Sequence, residues 1–136
     1  MIDTSVMVAG LVTNHEFHAR ARPHVVAAAQ GQVPGIVLAE TWAALRRAPW
    51  HLDARTVEAA LSPWSDEGRI VATPASAYAE ILRSGRSLTL GGNVHDLLIA
   101  LTCREHGLPL VTLDRRQSTL AAQLAGLETT LLLPNA

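Results

Sequence analysis

The chain has 136 residues, 49% of them apolar, and its twelve acidic and eleven basic residues leave a net charge of −1. That length supports one compact core and excludes two ordinary domains. The near-neutral balance excludes a protein that grips nucleic acid by bulk electrostatics, though not one with a local basic patch.

Every basic residue is arginine, so any chemistry that needs an active-site lysine is also excluded. Cys103 is the single cysteine and can form no internal disulfide, which points to a reducing cytoplasm. No base lies beside it in sequence, so it reads as a small buried residue rather than a nucleophile. The start, Met1 to Ser5, has neither the basic nor the apolar segment of a secretion signal. No apolar run approaches the length needed to span a bilayer. A soluble, intracellular, cytoplasmic protein is expected.

Met1 and Ile2 read as the end of a short strand closed by Asp3, with Thr4 and Ser5 opening a helix through Val6, Val8, Leu11 and Val12. Two residues make a poor central strand, so the native start is expected to lie upstream. A second helix is predicted over His15 to Gln30, ended by Gly31. Val33 to Leu38 reads as a strand, with Glu40 at the start of the helix that carries Trp42, Leu45 and Arg46. Pro49 breaks that helix, and Asp53 is placed to cap the next, which carries Val57, Leu61 and Trp64. Arg69 to Ala72 suggests a third strand. Pro74 opens a helix with Tyr78, Ile81 and Leu82, which fades into the polar stretch Ser84 to Gly92.

From Gly92 to Asp114 the pattern is one helix, one turn and one strand. Asn93 can cap the helix, Asp96 falls in its first turn, and Val94, Leu97, Leu98 and Leu101 supply a buried stripe. Gly107 suits the left-handed end of the helix and Pro109 prevents continuation. Leu110 to Leu113 is a buried strand closed by Asp114. A short helix around Ser118 to Leu124 and a last strand, Thr129 to Leu133, complete an α/β domain spanning residues 1–136. Mostly apolar strands separated by helices predict a central parallel sheet of about five strands flanked by helices.

Asp3, Glu40, Asp96 and Asp114 share an address: each sits at a strand end or in the first turn of a helix near one. In a parallel sheet such positions lie along one edge, where ligands bind. Converging carboxylates repel unless a cation sits among them. Mg²⁺ or Mn²⁺ prefers carboxylate oxygens and water, activates water, and neutralises charge developing on a phosphodiester. Asn93-x-x-Asp96 is equally a variant of the reciprocal capping pattern, which leaves Asp96 open as a cap.

Met-Ile-Asp-Thr-Ser-Val, Ala-Glu-Thr after a strand, Asn-Val-His-Asp-Leu-Leu-Ile-Ala and Leu-Val-Thr-Leu-Asp stand in order over essentially the whole chain. Together they resemble the motifs of PIN-domain ribonucleases, and most closely the VapC toxins of bacterial toxin–antitoxin pairs. The resemblance implies a PIN-like nuclease domain with Asp3, Glu40, Asp96 and Asp114 as the catalytic, metal-binding acids. Ser5 and Thr112 match hydroxyl positions that support metal-bound water or orient a carboxylate. It further implies an endoribonuclease acting on cellular RNA, a homodimer, and a cognate VapB-like antitoxin. Family members carry several apolar residues before the first Asp, where this chain has Met1 and Ile2.

His95 neighbours Asp96 but does not share its helix face, which favours a surface or capping role. His15 and His18 read as a solvated or half-buried pair rather than a metal site. Arg115 and Arg116 could meet RNA phosphates or simply lie in water at a helix start. Arg46 with Arg47, and Arg83 with Arg86, are further groove candidates. Trp42, Trp50 and Trp64 favour core or dimer packing over base stacking. Two rivals stay open: a non-catalytic α/β binding module, and another Mg²⁺-dependent phosphate-processing domain. The Walker and dinucleotide glycine motifs are absent.

Overall fold

The computed structural model describes residues 1–84, 94–124 and 126–134. The expected cap Asn93 and the candidate Arg86 lie outside them. The described elements run α1 (Thr4–Leu11), α2 (His18–Ala28), β1 (Val33–Pro34), α3 (Gly35–Arg46), α4 (Ala54–Leu61), β2 (Ile70–Val71), α5 (Ala75–Ser84), α6 (Val94–Glu105), β3 (Leu110–Thr112), α7 (Arg115–Ala122) and β4 (Thr129–Leu131).

Among the described residues all strand pairings are parallel. β3 lies between β4 and the first residues of the chain: Leu110 pairs with Thr129, and Ile2 bridges Val111. The Val111 N–H donates to the Met1 carbonyl at 2.8 Å, and the Asp3 N–H returns to the Val111 carbonyl at 3.1 Å. β1 pairs with β2 separately. The five expected extended segments are therefore present, but among the described residues they do not form one continuous sheet. β1 stops after two residues because Pro34 has no N–H to give a ladder.

The same proline moves the next boundary. Its backbone, φ −62° and ψ 134°, makes it the residue before a helix, so Gly35 to Leu38 is helical where a strand was expected. Val37, Thr41 and Leu45, four apart, form the buried stripe of α3 and override the β-branched look of the segment. Glu40 consequently sits inside α3 rather than at its start. The second helix also begins later than expected, at His18, because the His15 ring nitrogen Nδ1 accepts the Phe17 N–H at 3.1 Å and holds residues 15–17 in a turn.

α6 is the axis of the core. Every residue from Leu97 to Cys103 is buried, more than the stripe that was expected, whereas Val94 at its start is exposed. It shares one cluster with Val6, Met7, Val25 and Leu110. Each such fully buried aliphatic side chain contributes about 1.5–3 kcal/mol before the entropy of ordering it. Gly107, at φ +65°, ends α6 in the left-handed conformation, and the Leu108 N–H folds back to the Cys103 carbonyl at 3.0 Å. The Cys103 thiol, buried in this core, is pushed up to about 11 by desolvation, which suits packing and not nucleophilic attack.

α1 and α2 touch closely at Gly10, where a side-chain carbon would stand 2.3 Å from Val25 Cγ2. His18 Nδ1 lies 2.9 Å from the Ala9 carbonyl, and Arg22 donates to the Gly10 carbonyl at 3.3 Å. His18 is thus half-buried, like His15, and binds the carbonyl end of α1. Among the described residues no helix is long and apolar enough to cross a membrane.

Candidate active site

Asp3 stands where the first extended segment turns into α1. Its Oδ1 accepts the Val6 N–H at 3.0 Å, capping the helix, and the Ser5 hydroxyl at 2.6 Å. Its Oδ2 accepts the Thr112 hydroxyl from the end of β3. Thr112 Oγ1 in turn accepts the Asp114 N–H at 2.9 Å, and Ser5 Oγ accepts the Leu113 N–H at 3.0 Å. Two hydroxyls therefore clip the end of β3 to the start of α1. Both are the hydroxyls that the sequence motifs point to, and both hold a carboxylate or its backbone in place.

Asp114 follows β3 and caps α7 by accepting the Arg116 N–H at 2.7 Å. Asp96 lies in the first turn of α6. Glu40 reaches the same edge from the interior of α3, where Oε1 accepts the Thr4 hydroxyl at 2.7 Å. Four acids from four segments of the chain are thus brought to one end of the fold.

Their proximity is visible in their electrostatics. The Asp96 carboxyl is raised to about 6, first by partial burial and then by the charges of Asp114, Glu40 and Asp3, with His95 offsetting part of the effect. Asp3 is also raised to about 6, by burial first; its bonds from Ser5, Thr112 and Val6 pull the other way, and Asp114 adds repulsion. A solvated helix cap would carry neither burden.

Among the described residues no three Asp, Glu, His or Cys side chains are gathered tightly enough to hold one metal ion between them. The donor chemistry still fits a hard divalent cation. Mg²⁺ keeps much of its water and takes only one or two carboxylates directly. Asp3 accepts three hydrogen bonds, and a carboxylate offers about four lone-pair sites, so an oxygen lone pair remains for an ion.

Arg115 and Arg116 open α7 and are exposed, and Arg115 donates to the Pro134 carbonyl at 3.2 Å. Arg46, Arg47 and Arg83 are exposed as well. Trp64 is buried with Nε1 donating to the Ala28 carbonyl at 3.1 Å, a core role. Trp42 is exposed, and Trp50 is half-buried beside His15.

Two residues at this edge carry no local signal of their role. Thr4 looks like a helix opener and nothing more, yet it fixes Glu40. Gln117, buried in α7, donates from Nε2 to the Asp96 backbone carbonyl at 2.9 Å. Its spacing after Asp114 looks like a capping box, and that signal conceals the longer reach to α6.

A family model described as "PIN domain" matches residues 1–123. A solved structure described as "Structure of FitAB bound to IR36 DNA fragment" shares 17% identity with the chain at a TM-score of 0.61, covering 96% of this chain and 93% of that one. No curated protein matches the chain in sequence.

Proposed function

The chain belongs to the PIN-domain family, whose members are as a rule metal-dependent nucleases, and on that footing we propose that it is an endoribonuclease acting as the VapC-type toxin of a toxin–antitoxin pair. The observation that carries the proposal is the meeting of Asp3, Glu40, Asp96 and Asp114 around the Ser5–Thr112 clip. In this reading residues 1–136 form one nuclease unit working in the cytoplasm.

One or two of Asp3, Glu40, Asp96 and Asp114 would hold Mg²⁺ or Mn²⁺ directly, and the others through its water. When bound, the cation supplies water of lowered pKa and neutralises charge building on the phosphodiester. The chain's own part is to hold the acids ready. Ser5, Thr112 and the Val6 N–H fix the Asp3 carboxylate in one orientation, and Thr4 fixes Glu40. Gln117 ties the first turn of α6, and so Asp96, to α7. Arg115 and Arg116, next to Asp114 and exposed, would meet phosphate oxygens. Such geometry lowers the cost of orienting substrate rather than adding a chemical group.

The partner reading draws on surface character. Tyr78 and Leu82, one helical turn apart on α5, are 51% and 88% exposed, more apolar surface than an isolated helix face favours. A homodimer contact or an antitoxin segment would cover them. The FitAB structure includes a DNA fragment by its own description. With a net charge of −1, this chain would leave any DNA contact to an antitoxin.

The test is incubation of purified protein with total RNA, with and without Mg²⁺ or Mn²⁺, and mapping of the new ends. Discrete metal-dependent cuts that vanish in Asp96→Asn are expected. Intact RNA under every metal condition would leave a non-catalytic binding module.

A further inference from the structure

Beside the acids lies an open cleft of about 580 Å³. Thr4, Ser5 and Asp114 form its inner wall, so it is continuous with the carboxylate edge. Its outer wall is aromatic. The His15 ring centroid lies 6.0 Å from that of Phe17 and 5.7 Å from that of Trp50, both pairs tilted. Three rings thus stand in a row, all half-buried, and Arg115 lines the same cleft.

Resting on the nuclease reading above, we propose that this cleft is a base-binding subsite: an unstacked base of single-stranded RNA, next to the phosphodiester at the acids, packs against the Trp50, His15 and Phe17 rings. Its volume falls within the range of about 300–1,000 Å³ usual for small-ligand sites. Single-stranded RNA is recognised by splaying bases onto aromatic side chains, a contact any base can make. The charges orient the nucleotide. Glu16 at the aromatic end repels phosphate and tolerates a neutral base, whereas Arg115 offers guanidinium donors on the Asp114 side; of the five it carries, the Pro134 carbonyl takes one. The phosphate therefore lies toward α7 and the base toward the rings. His15 is fixed for this by the Phe17 N–H, which occupies Nδ1 and leaves Nε2 to carry the proton of the neutral ring.

The test is fluorescence anisotropy of a labelled single-stranded RNA pentanucleotide on the full chain, alongside the same oligonucleotide with one abasic position moved along it. Trp50→Ala is expected to weaken binding about tenfold, within the range base stacking contributes, and Trp50→Phe to retain most of it. Removing a base at one position should reproduce the loss in wild type and add nothing in Trp50→Ala. Trp50 also packs against the small cluster of Val12, Leu45 and Val57, so Trp50→Ala could unfold; the abasic series needs no variant and decides by itself. Equal affinity for every abasic oligonucleotide overturns the subsite while leaving the nuclease reading intact. Failure of wild type to bind or cut RNA overturns both. A Trp50→Ala variant that stays folded and binds RNA as wild type does, but loses a protein partner, assigns the cleft to that partner, and the proposal falls.

Discussion

α1 joins two regions of opposite character. At its N-terminus, Asp3 and three other acids crowd one edge, and burial and mutual repulsion raise Asp3 and Asp96 to about 6. At its C-terminus, Gly10 lets α2 approach so closely that no methyl group fits, and the Ala9 and Gly10 carbonyls are bound by His18 and Arg22. One end is satisfied and tightly packed; the other is held in a costly state by hydroxyl clips. A fold tolerates such a cost where a ligand relieves it, which is why the acid edge and not the packed end is the one proposed as functional.

The largest effect should come from neutralising one acid. Asp96→Asn is expected to lower RNA cleavage at least about a hundredfold, equivalent to about 3 kcal/mol of transition-state stabilisation. It should also raise the melting temperature of the metal-free protein, since one of the mutually repelling charges is gone. Cleavage rates and thermal melts read both. A variant that stays fully active would show Asp96 to be a helix cap and nothing more.

Gly10→Ala probes the other end. The added carbon would overlap Val25 and sit 3.3 Å from the Ala21 backbone, so α1 and α2 must separate. Overpacking of this kind costs roughly 3 kcal/mol. Urea denaturation should show the loss, and a midpoint unchanged from wild type would mean that the two helices are not packed as described.

The acid edge also dictates a pH response. Asp3 ionises at about 6 in the fold against 3.8 for an exposed aspartate, so between those values the folded state binds more protons than the unfolded one. Stability from this carboxyl is complete below about pH 4 and is lost as pH rises through about 6, a change on the order of 3 kcal/mol. Half-buried Asp96 adds in the same direction. Unfolding free energies of metal-free protein at roughly pH 4, 5.5 and 7, a series that covers this window, should fall from the first to the last. The decline should be shallower in Asp96→Asn. A flat profile would mean that the carboxyls are solvated.

The two regions are not equally legible in the sequence. Asp3 and Asp114 follow short apolar segments and precede helices, so strand-end logic and capping logic both point at them. Asp96 is readable from the helix-start pattern alone, in the first turn of α6. Glu40 is expected at this edge, but for the wrong local reason. It projects from within a helix whose β-branched start, Ile36 and Val37, looks like a strand until Pro34 and the buried four-residue stripe decide otherwise. Contacts between distant segments leave no local pattern: Thr4 to Glu40, Gln117 to Asp96, and the His15–Trp50 ring pair depend on tertiary placement. Gly10 is equally silent, because its requirement comes from α2.

Thr41 refines the comparison at its smallest scale, because it lies in the same helix as Glu40 but faces the packed interior. It is fully buried, and its Oγ1 is unpaired among the described residues. A buried hydroxyl without a partner costs desolvation and returns nothing, whereas a methyl of similar shape costs nothing there. Thr41→Val is therefore expected to be neutral or to stabilise by up to about 1 kcal/mol, with RNA cleavage unchanged. The same exchange at Thr112 removes the hydroxyl that holds Asp3 and Asp114 and should weaken cleavage. Melts and cleavage rates of the two variants side by side test whether a threonine's value is set by burial alone or by the carboxylate it holds; a destabilised Thr41→Val would mean that its hydroxyl has a partner after all.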